Sequence, residues 1–600
     1  VRRNCWLKPE SSDRCLPISS QQFLLTLRAA MGIPIATLFI VVVEFCERLC
    51  YYTFSGTQKV WLQDQGWSNS QSSSVNLIFG MLSYVSCFFG GWLASTRMGR
   101  FKTIVLLGGL YAAGTYMAAF ASLPGIENVP MYVAGTMVLV TFGAGGIKPN
   151  VVTHGADQFD QDDPDCKKSV KSFFQYFYIA INLGSMVSHG FLSSTAISGL
   201  PAAGVSVEYG FFFSYMVAAS FMLMALLVFI SGKSRYRPAS KVADNGVMTS
   251  FFQTLMSGSG SLKGKIALLG WALIPCIIVS SLLNAFVRSK PLQMTCLVLD
   301  VACVICLVVA HLDNSWLKES PIRQCLDCVP VLLVGNIFYG ILESSVGSFF
   351  QSEACQMDTR ADPNVEDGFQ FSGDFFRLAN PFAIVLWTPV LMKVVYPLVE
   401  RCIGREVSTG MKVSCGYLFA IGSQLVASIL ERVRVSRPVT GIPSRCAPML
   451  PDGTHIHASE MSAMWMLLPY AMTGMGEIMV YPVLSHVAYE GAQDDMKSLM
   501  QAFTLFSIGA LPSAMASGVS QALSSLVPNN LNDGDLSLVY LINCGIGVVG
   551  LLLFGFVWKS APQRLRTVQK VAESDSDDNP SERSDEGSSE LSSDEHARQS

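Results

Sequence analysis

The chain has 600 residues, of which 50% are hydrophobic and 14% charged, and its net charge is −4. Soluble proteins carry nearer a quarter charged residues, so this composition does not describe a soluble chain; the net charge says little, because its acidic part is concentrated in a tail, and no nucleic acid is expected among the partners. Most of the 17 cysteines lie inside hydrophobic runs, where cysteine behaves as a small apolar residue. No CxxC pairs with a second one at zinc spacing, so neither a disulfide framework nor a metal site is expected.

Residues 1–30 read as a cytoplasmic N-terminal segment. Hydrophobic segments of bilayer length follow at 31–54, 74–96, 102–123, 130–152, 172–196 and 209–231, giving a six-helix bundle over 31–232. Two more, at 266–287 and 293–312, fall in a linker over 233–328 and carry few polar groups besides Asp300. Six further segments, at 329–351, 375–399, 411–431, 462–487, 497–524 and 537–558, make a second bundle over 329–560. Residues 561–600 form a cytoplasmic tail, acidic and serine-rich towards its end, expected to be disordered, whose serines could accept phosphate from a kinase. Fourteen spans put both ends on one side. Basic residues then assign that side to the cytoplasm: Arg97, Arg100 and Lys102, Lys167, Lys168 and Lys171, and Arg401, Arg405 and Lys412 all fall in loops on the N-terminal face. Arg432, Arg434, Arg437 and Arg445 stand against the rule in a long loop on the other face, as do Arg288 and Lys290 between the seventh and eighth spans. The whole reads as an all-α membrane protein, and two bundles around a midplane site suit alternating access.

The first span contains EFCERLCYY at residues 44–52. On a helix Glu44, Glu47 and Arg48 stand at i, i+3 and i+4 on one face, and Tyr51 and Tyr52 extend it. Insertion scales charge roughly 3 kcal/mol for each acid or base at mid-span, so this face must meet water or partners in the bundle. A structural salt bridge is the plainer alternative. Against it, two acids face one base, and Arg48 can neutralise only one of them fully, leaving the other disposed to carry a proton. Other charges at membrane depth are Lys148 in FGAGGIKPNVV, Glu343 in FYGILESSVGSFF and Glu477 in PYAMTGMGEIMVYP. His189 and His486 lie near span ends and read as locally satisfied polar groups. Acids and bases buried in both halves fit a ligand carrying both charges.

Five blocks carry a resemblance: EFCERLCYY, GAGGIKPNVVTHGADQF, FFQYFYIAINLGS, LANPFAIVLWTPV and GEIMVYPVLSHVAYEGAQDDMKSLMQAF. With them in this order, the sequence resembles the proton-coupled oligopeptide transporter family of the major facilitator superfamily. The resemblance implies a major facilitator fold and a symporter of di- and tripeptides. It implies that Glu44, Glu47 and Arg48, with Glu343, couple protons. Lys148 would alternate between a first-span glutamate and the peptide carboxylate. Tyr51, Tyr52 and Tyr84 would line the cavity, Asn182 and Asn380 would hydrogen-bond the peptide, and Glu477 would receive its ammonium. It implies no enzyme activity, cofactor or metal, the proton being the coupling ion, and its partners are small peptides, protons and the lipid bilayer. The expected location is the plasma membrane or an acidic endomembrane compartment.

Three positions depart from the family pattern. Ser95 stands where an aspartate is usual, Leu77 where mammalian members have histidine, and Glu343 is one residue off the usual acid or glutamine. Plant relatives carry nitrate and other solutes, so a carrier of another small solute, or a peptide-sensing receptor, stays open as an alternative.

Overall fold

The computed structural model describes residues 34–566 apart from 160–165, 238–245, 288, 319, 367, 451–452, 493–496 and 564. The N-terminal segment at 1–30 and the acidic stretch at 571–600 lie outside the described residues, as do the side chains of Ser95, Lys167, Lys168 and Lys171.

A helix occupies each of the expected segments. They are α1 (Ile35–Asp64), α2 (Asn69–Leu93), α3 (Arg100–Ala121), α4 (Val129–Ala156), α5 (Cys166–Val187), α6 (Gly210–Ser231), α7 (Leu262–Val287), α8 (Lys290–His311), α9 (Ile322–Cys355), α10 (Phe375–Ile403), α11 (Thr409–Ser436), α12 (Leu467–Gly491), α13 (Met500–Ala522) and α14 (Leu536–Ser560). Among the described residues, 11 helices are long and apolar enough to cross a bilayer, which makes this an integral multi-pass membrane protein. The spans outside that set are α1, α5 and α12, the helices that carry the Glu44–Arg48 stripe, Asn182 and Glu477. Their polar residues lower the apolar content because they face protein rather than lipid.

Within the first half α1 packs on α5 and α6, α2 on α4, and α3 on α4 and α6. In the second half α11 packs on α12 and α14, α9 on α12, α13 and α14, and α10 on α12. The linker helices α7 and α8 pair with each other, and α8 leans on α9 and α13 from outside. Lipid gives no hydrophobic drive between helices, so close packing has to supply it. The α2–α4 crossing shows how close. A Cβ added at Gly90 would lie 2.0 Å from the Gly145 carbonyl oxygen, and one at Gly145 would lie 2.3 Å from that of Ser86. Only glycine fits there, and the crossing fixes Lys148 one helical turn further along α4.

Hydropathy ended α1 near residue 54, but the helix continues to Asp64. The extension is polar, and its side chains find partners in the protein. Lys59 is 1% exposed, and its Nζ donates to the Ser348 carbonyl and to Ser352 Oγ, both at 2.5 Å. Gln351 Nε2 donates to the Gly56 carbonyl at 2.8 Å. These bonds tie α1 to α9, one from each half, on the face where α1 ends. That face also carries a two-stranded antiparallel ribbon, β1 (Val439–Pro443) with β2 (His457–Ser459).

Two expectations change here. Cys355 and Cys446 form a disulfide across a sequence separation of 91 residues, against the reading of the cysteines as apolar filler; no local spacing announces a pair so far apart. Arg434, expected as a free loop charge, is 1% exposed. Its Nε and Nη2 donate to Glu431 at 2.6 and 2.8 Å, so it is neutralised and loses its weight against the positive-inside rule.

Overpacking a tight contact costs about 1–3 kcal/mol. Gly145→Val is therefore expected to lower the unfolding temperature of the purified protein. Gly109→Val, where an added Cβ meets nothing within 4 Å, is the control. Equal midpoints for the two variants would contradict the packing account.

Candidate functional site

The α1 stripe is buried. Glu44 and Glu47 are both 0% exposed. Arg48 Nε lies 2.6 Å from Glu44 Oε1 and 3.2 Å from Glu47 Oε2, so one guanidinium serves two carboxylates. Glu44 Oε2 and both oxygens of Glu47 have no hydrogen-bond donor among the described residues. A proton added to either acid would leave Arg48 matched one to one.

Lys148 approaches the stripe from α4. Its Nζ has no hydrogen-bond acceptor among the described residues. It sits 3.6 Å from the centroid of the Tyr51 ring and 5.5 Å from that of Tyr84. The charges of Arg48, Glu47 and Glu44 reach it, yet it forms no ion pair with either acid. A desolvated cation–π contact is worth about 2 kcal/mol, less than a well-placed carboxylate would give in the same dry surroundings. The ammonium therefore retains an unmet demand for an anion.

Aromatic rings frame this wall. Tyr51 stacks on Phe79 with centroids 5.4 Å apart and meets Tyr52 edge-on at 5.6 Å. Tyr84 lies against Gly509 of α13, where an added Cβ would fall 2.2 Å from its ring. Asn182 is turned back on its own helix, its Nδ2 donating to the Tyr178 carbonyl at 2.8 Å.

The opposite wall comes from the second half. Asn380 Nδ2 donates to Glu477 Oε2 at 3.2 Å and so joins α10 to α12. Glu343 of α9 accepts a hydrogen bond from the Tyr481 hydroxyl of α12. Glu343 and Glu477 lie close enough to feel each other's charge. Tyr52 bridges the walls, since Arg48 on one side and Glu477 on the other both act on its hydroxyl.

Sequence reasoning missed three groups around this space. His189 was expected to be satisfied locally. Instead its Nδ1 lies 2.6 Å from Asp374 Oδ2, with the two side chains 2% and 1% exposed, and the pair links the halves. Lys59 was hidden by the early end assigned to α1. Arg377, in FFRLANPF, is the third residue of the 375–399 segment, at a span end where a basic residue reads as an interface anchor. The fold turns it inward, within electrostatic reach of Glu343 and Tyr52.

Two helical halves, one carrying Arg48 and Lys148 beside two acids and the other carrying Glu343 and Glu477 held by hydrogen-bond donors, have the architecture of a major facilitator membrane carrier. Residues 101–532 match the family model described as POT family, and the chain belongs to that family. It is 26% identical over 431 residues to "Solute carrier family 15 member 1" of Rattus norvegicus, covering 70% of this chain and 54% of that protein. It is 24% identical over 560 residues to "Protein NRT1/ PTR FAMILY 8.2" of Arabidopsis thaliana, covering 87% and 92%. The chain thus spans about half the length of the solute carrier relative. Among solved structures, an auto-inhibited POT family peptide transporter shares the fold with a TM-score of 0.65 at 20% identity, over 88% of this chain and 97% of that one. A POT family transporter in complex with 5-aminolevulinic acid does so with a TM-score of 0.62 at 17% identity, over 88% and 97%.

Removing one partner of a buried ion pair costs about 3–5 kcal/mol, because the other is left uncompensated. Arg48→Gln is expected to lower the unfolding temperature near neutral pH, and the double variant Arg48→Gln with Glu44→Gln to regain most of the loss. Thermal unfolding of the purified variants measures this, and an equal loss in both would contradict the shared-charge reading.

Proposed function

We propose that this chain is a proton-coupled symporter of di- and tripeptides working by alternating access. The observation that carries the reading is the buried pair Glu44 and Glu47 sharing Arg48 at 2.6 and 3.2 Å, beside the Lys148 ammonium that has no hydrogen-bond acceptor among the described residues. Family membership supports it. So does the relative that holds 5-aminolevulinic acid, a molecule with an amine at one end and a carboxylate at the other, as a peptide has.

The charges dictate an order of events. With both acids ionised, Arg48 is divided and the field of two carboxylates holds Lys148 nearby. A proton on Glu47 leaves Arg48 to Glu44 and frees Lys148 for an external anion. The C-terminal carboxylate of a peptide takes that place. Its ammonium goes to Glu477, which Asn380 holds in position. Tyr51, Tyr52 and Tyr84 offer ring faces between the two ends. Loading a proton together with a zwitterion lets the halves rock with their buried charges paired. Differential affinities of a few kcal/mol between states are enough for such coupling.

Rocking must break the polar clasp on the face where α1 ends, namely Lys59 with Ser348 and Ser352 and His189 with Asp374. The Cys355–Cys446 disulfide lies beside Lys59 on that face, and disulfides persist where the surroundings oxidise. This supports an extracellular or lumenal clasped face, both termini in the cytoplasm, the 561–600 tail within reach of a cytoplasmic kinase, and a conformation shut on the outside. The proton is the only coupling ion in this reading.

Uptake of labelled Ala-Ala into proteoliposomes, with and without an acid-outside gradient, tests the proposal. Accumulation should require the gradient; uptake indifferent to it would contradict coupling. Glu47→Gln is expected to lose gradient-driven accumulation while keeping counterflow exchange, and accumulation that survives would remove the stripe from the coupling site. Lys148→Ala is expected to reduce uptake at least tenfold, on the order expected for a lost buried charge pair; unchanged uptake would refute its role.

A further inference from the structure

We propose that a phospholipid of the surrounding bilayer seats one acyl chain in an apolar cavity lined by both halves and by the linker helix α7. The cavity encloses about 510 Å3, within the range of roughly 300–1,000 Å3 found for small-molecule sites. Its lining comes from α2 and α4 of the first half and from α9 and α13 of the second. The linker adds α7 and the short helix Gly246–Ser257. None of the charged residues of the candidate site lines it, so this is a separate place, whatever the carrier moves.

Among the described residues no charged side chain lines the cavity. Its hydroxyl and its indole N–H are engaged within the protein. Ser86 Oγ donates to the Leu82 carbonyl at 2.7 Å, and Trp271 Nε1 donates to His311 Nε2 at 3.1 Å. A peptide would bring two charges that such walls cannot pair, and water would find too few partners to stay. Hydrocarbon is the ligand that fits.

The mouth opens on hydrocarbon as well. Phe89 and Phe142 line the cavity and are 41% and 43% exposed, on helices α2 and α4 that are apolar enough to cross a bilayer. Val138 stands at the same mouth, one turn before Phe142. The floor is deep by contrast, for Met137, Leu326 and Val329 are each 1% exposed. Trp271 of α7 closes the linker side, its ring 5.2 Å from that of Phe251 and 5.6 Å from that of Phe503 in α13. The helix Gly246–Ser257 buries Phe251 and Leu255 and exposes Phe252 and Met256, as a helix lying in the membrane interface does. A lipid can therefore keep its headgroup near this helix while one chain runs from the mouth to Val329. The linker helices, which supply none of the residues of the transport site, gain a task as one wall of a lipid seat.

Proteoliposomes of phosphatidylcholine that carries a photoactivatable diazirine midway along one acyl chain test this. After illumination, peptide mapping by mass spectrometry is expected to find label on the floor, at Met137, Leu326 or Val329, and on lipid-facing positions such as Leu418 of α11, which is 60% exposed. A lipid confined to the outer surface touches Leu418 and never Val329, so label on Leu418 with none on the floor overturns the site. Val138→Trp crowds the mouth and should lower floor labelling by roughly tenfold, the scale of one overpacked contact, with Leu418 labelled as before. Phe252→Asp places a charge at the mouth from another element and should act in the same direction. Floor labelling that survives both variants overturns the proposed entry. Floor labelling that excess unlabelled oleic acid abolishes and excess unlabelled phosphatidylcholine leaves intact would assign the cavity to a free fatty acid and overturn the phospholipid.

Discussion

A single guanidinium stands between two carboxylates inside α1, and neither acid can leave it without stranding a charge among helices that exclude water. The imbalance gives this span its chemistry. A matched pair would be a structural bolt, satisfied once and left alone. An odd acid keeps a vacancy that a proton can fill, and what fills it decides how strongly the first half holds the ammonium of Lys148. In the proposed carrier, fuel and cargo meet through this arithmetic of charge rather than through direct contact.

The rest of the fold serves to hold that arithmetic in place. The glycine crossing of α2 and α4 sets the depth of Lys148, and the Tyr51 ring gives the ammonium a resting place weaker than an ion pair. In the second half, Asn380 and Tyr481 hold Glu477 and Glu343 by hydrogen bonds. On the face where α1 ends, the contacts named between the halves come from neutral acceptors and one histidine–aspartate pair. Such bonds can be exchanged for water when the face opens, at modest net cost.

Much of this was legible in the sequence, for reasons that differ by residue. Long apolar runs reported the spans because the bilayer demands them, and the Glu44, Glu47 and Arg48 spacing reported a shared face because helical period fixes it. Motif order reported the family. Three things were not legible. Hydropathy ended α1 at its polar extension, since composition cannot tell Lys59 facing water from Lys59 bonded to α9. The partner of His189 is 185 residues away in sequence, and Cys355 and Cys446 are 91 apart; tertiary packing alone brings such pairs together. Arg377 sat at a position where basic residues commonly face lipid headgroups, and only the first turn of α10, Phe375–Leu378, sends it inward.

The central claim is that the acids of α1 take up a proton as the peptide binds. Net proton exchange on adding Ala-Ala to purified protein, followed with a pH-sensitive dye in weakly buffered detergent near neutral pH, reads this without transport or gradients. The account predicts proton uptake that saturates with peptide and disappears in Glu47→Gln. Peptide binding by the wild-type protein with no proton taken up, or with the same uptake in Glu47→Gln, would contradict it.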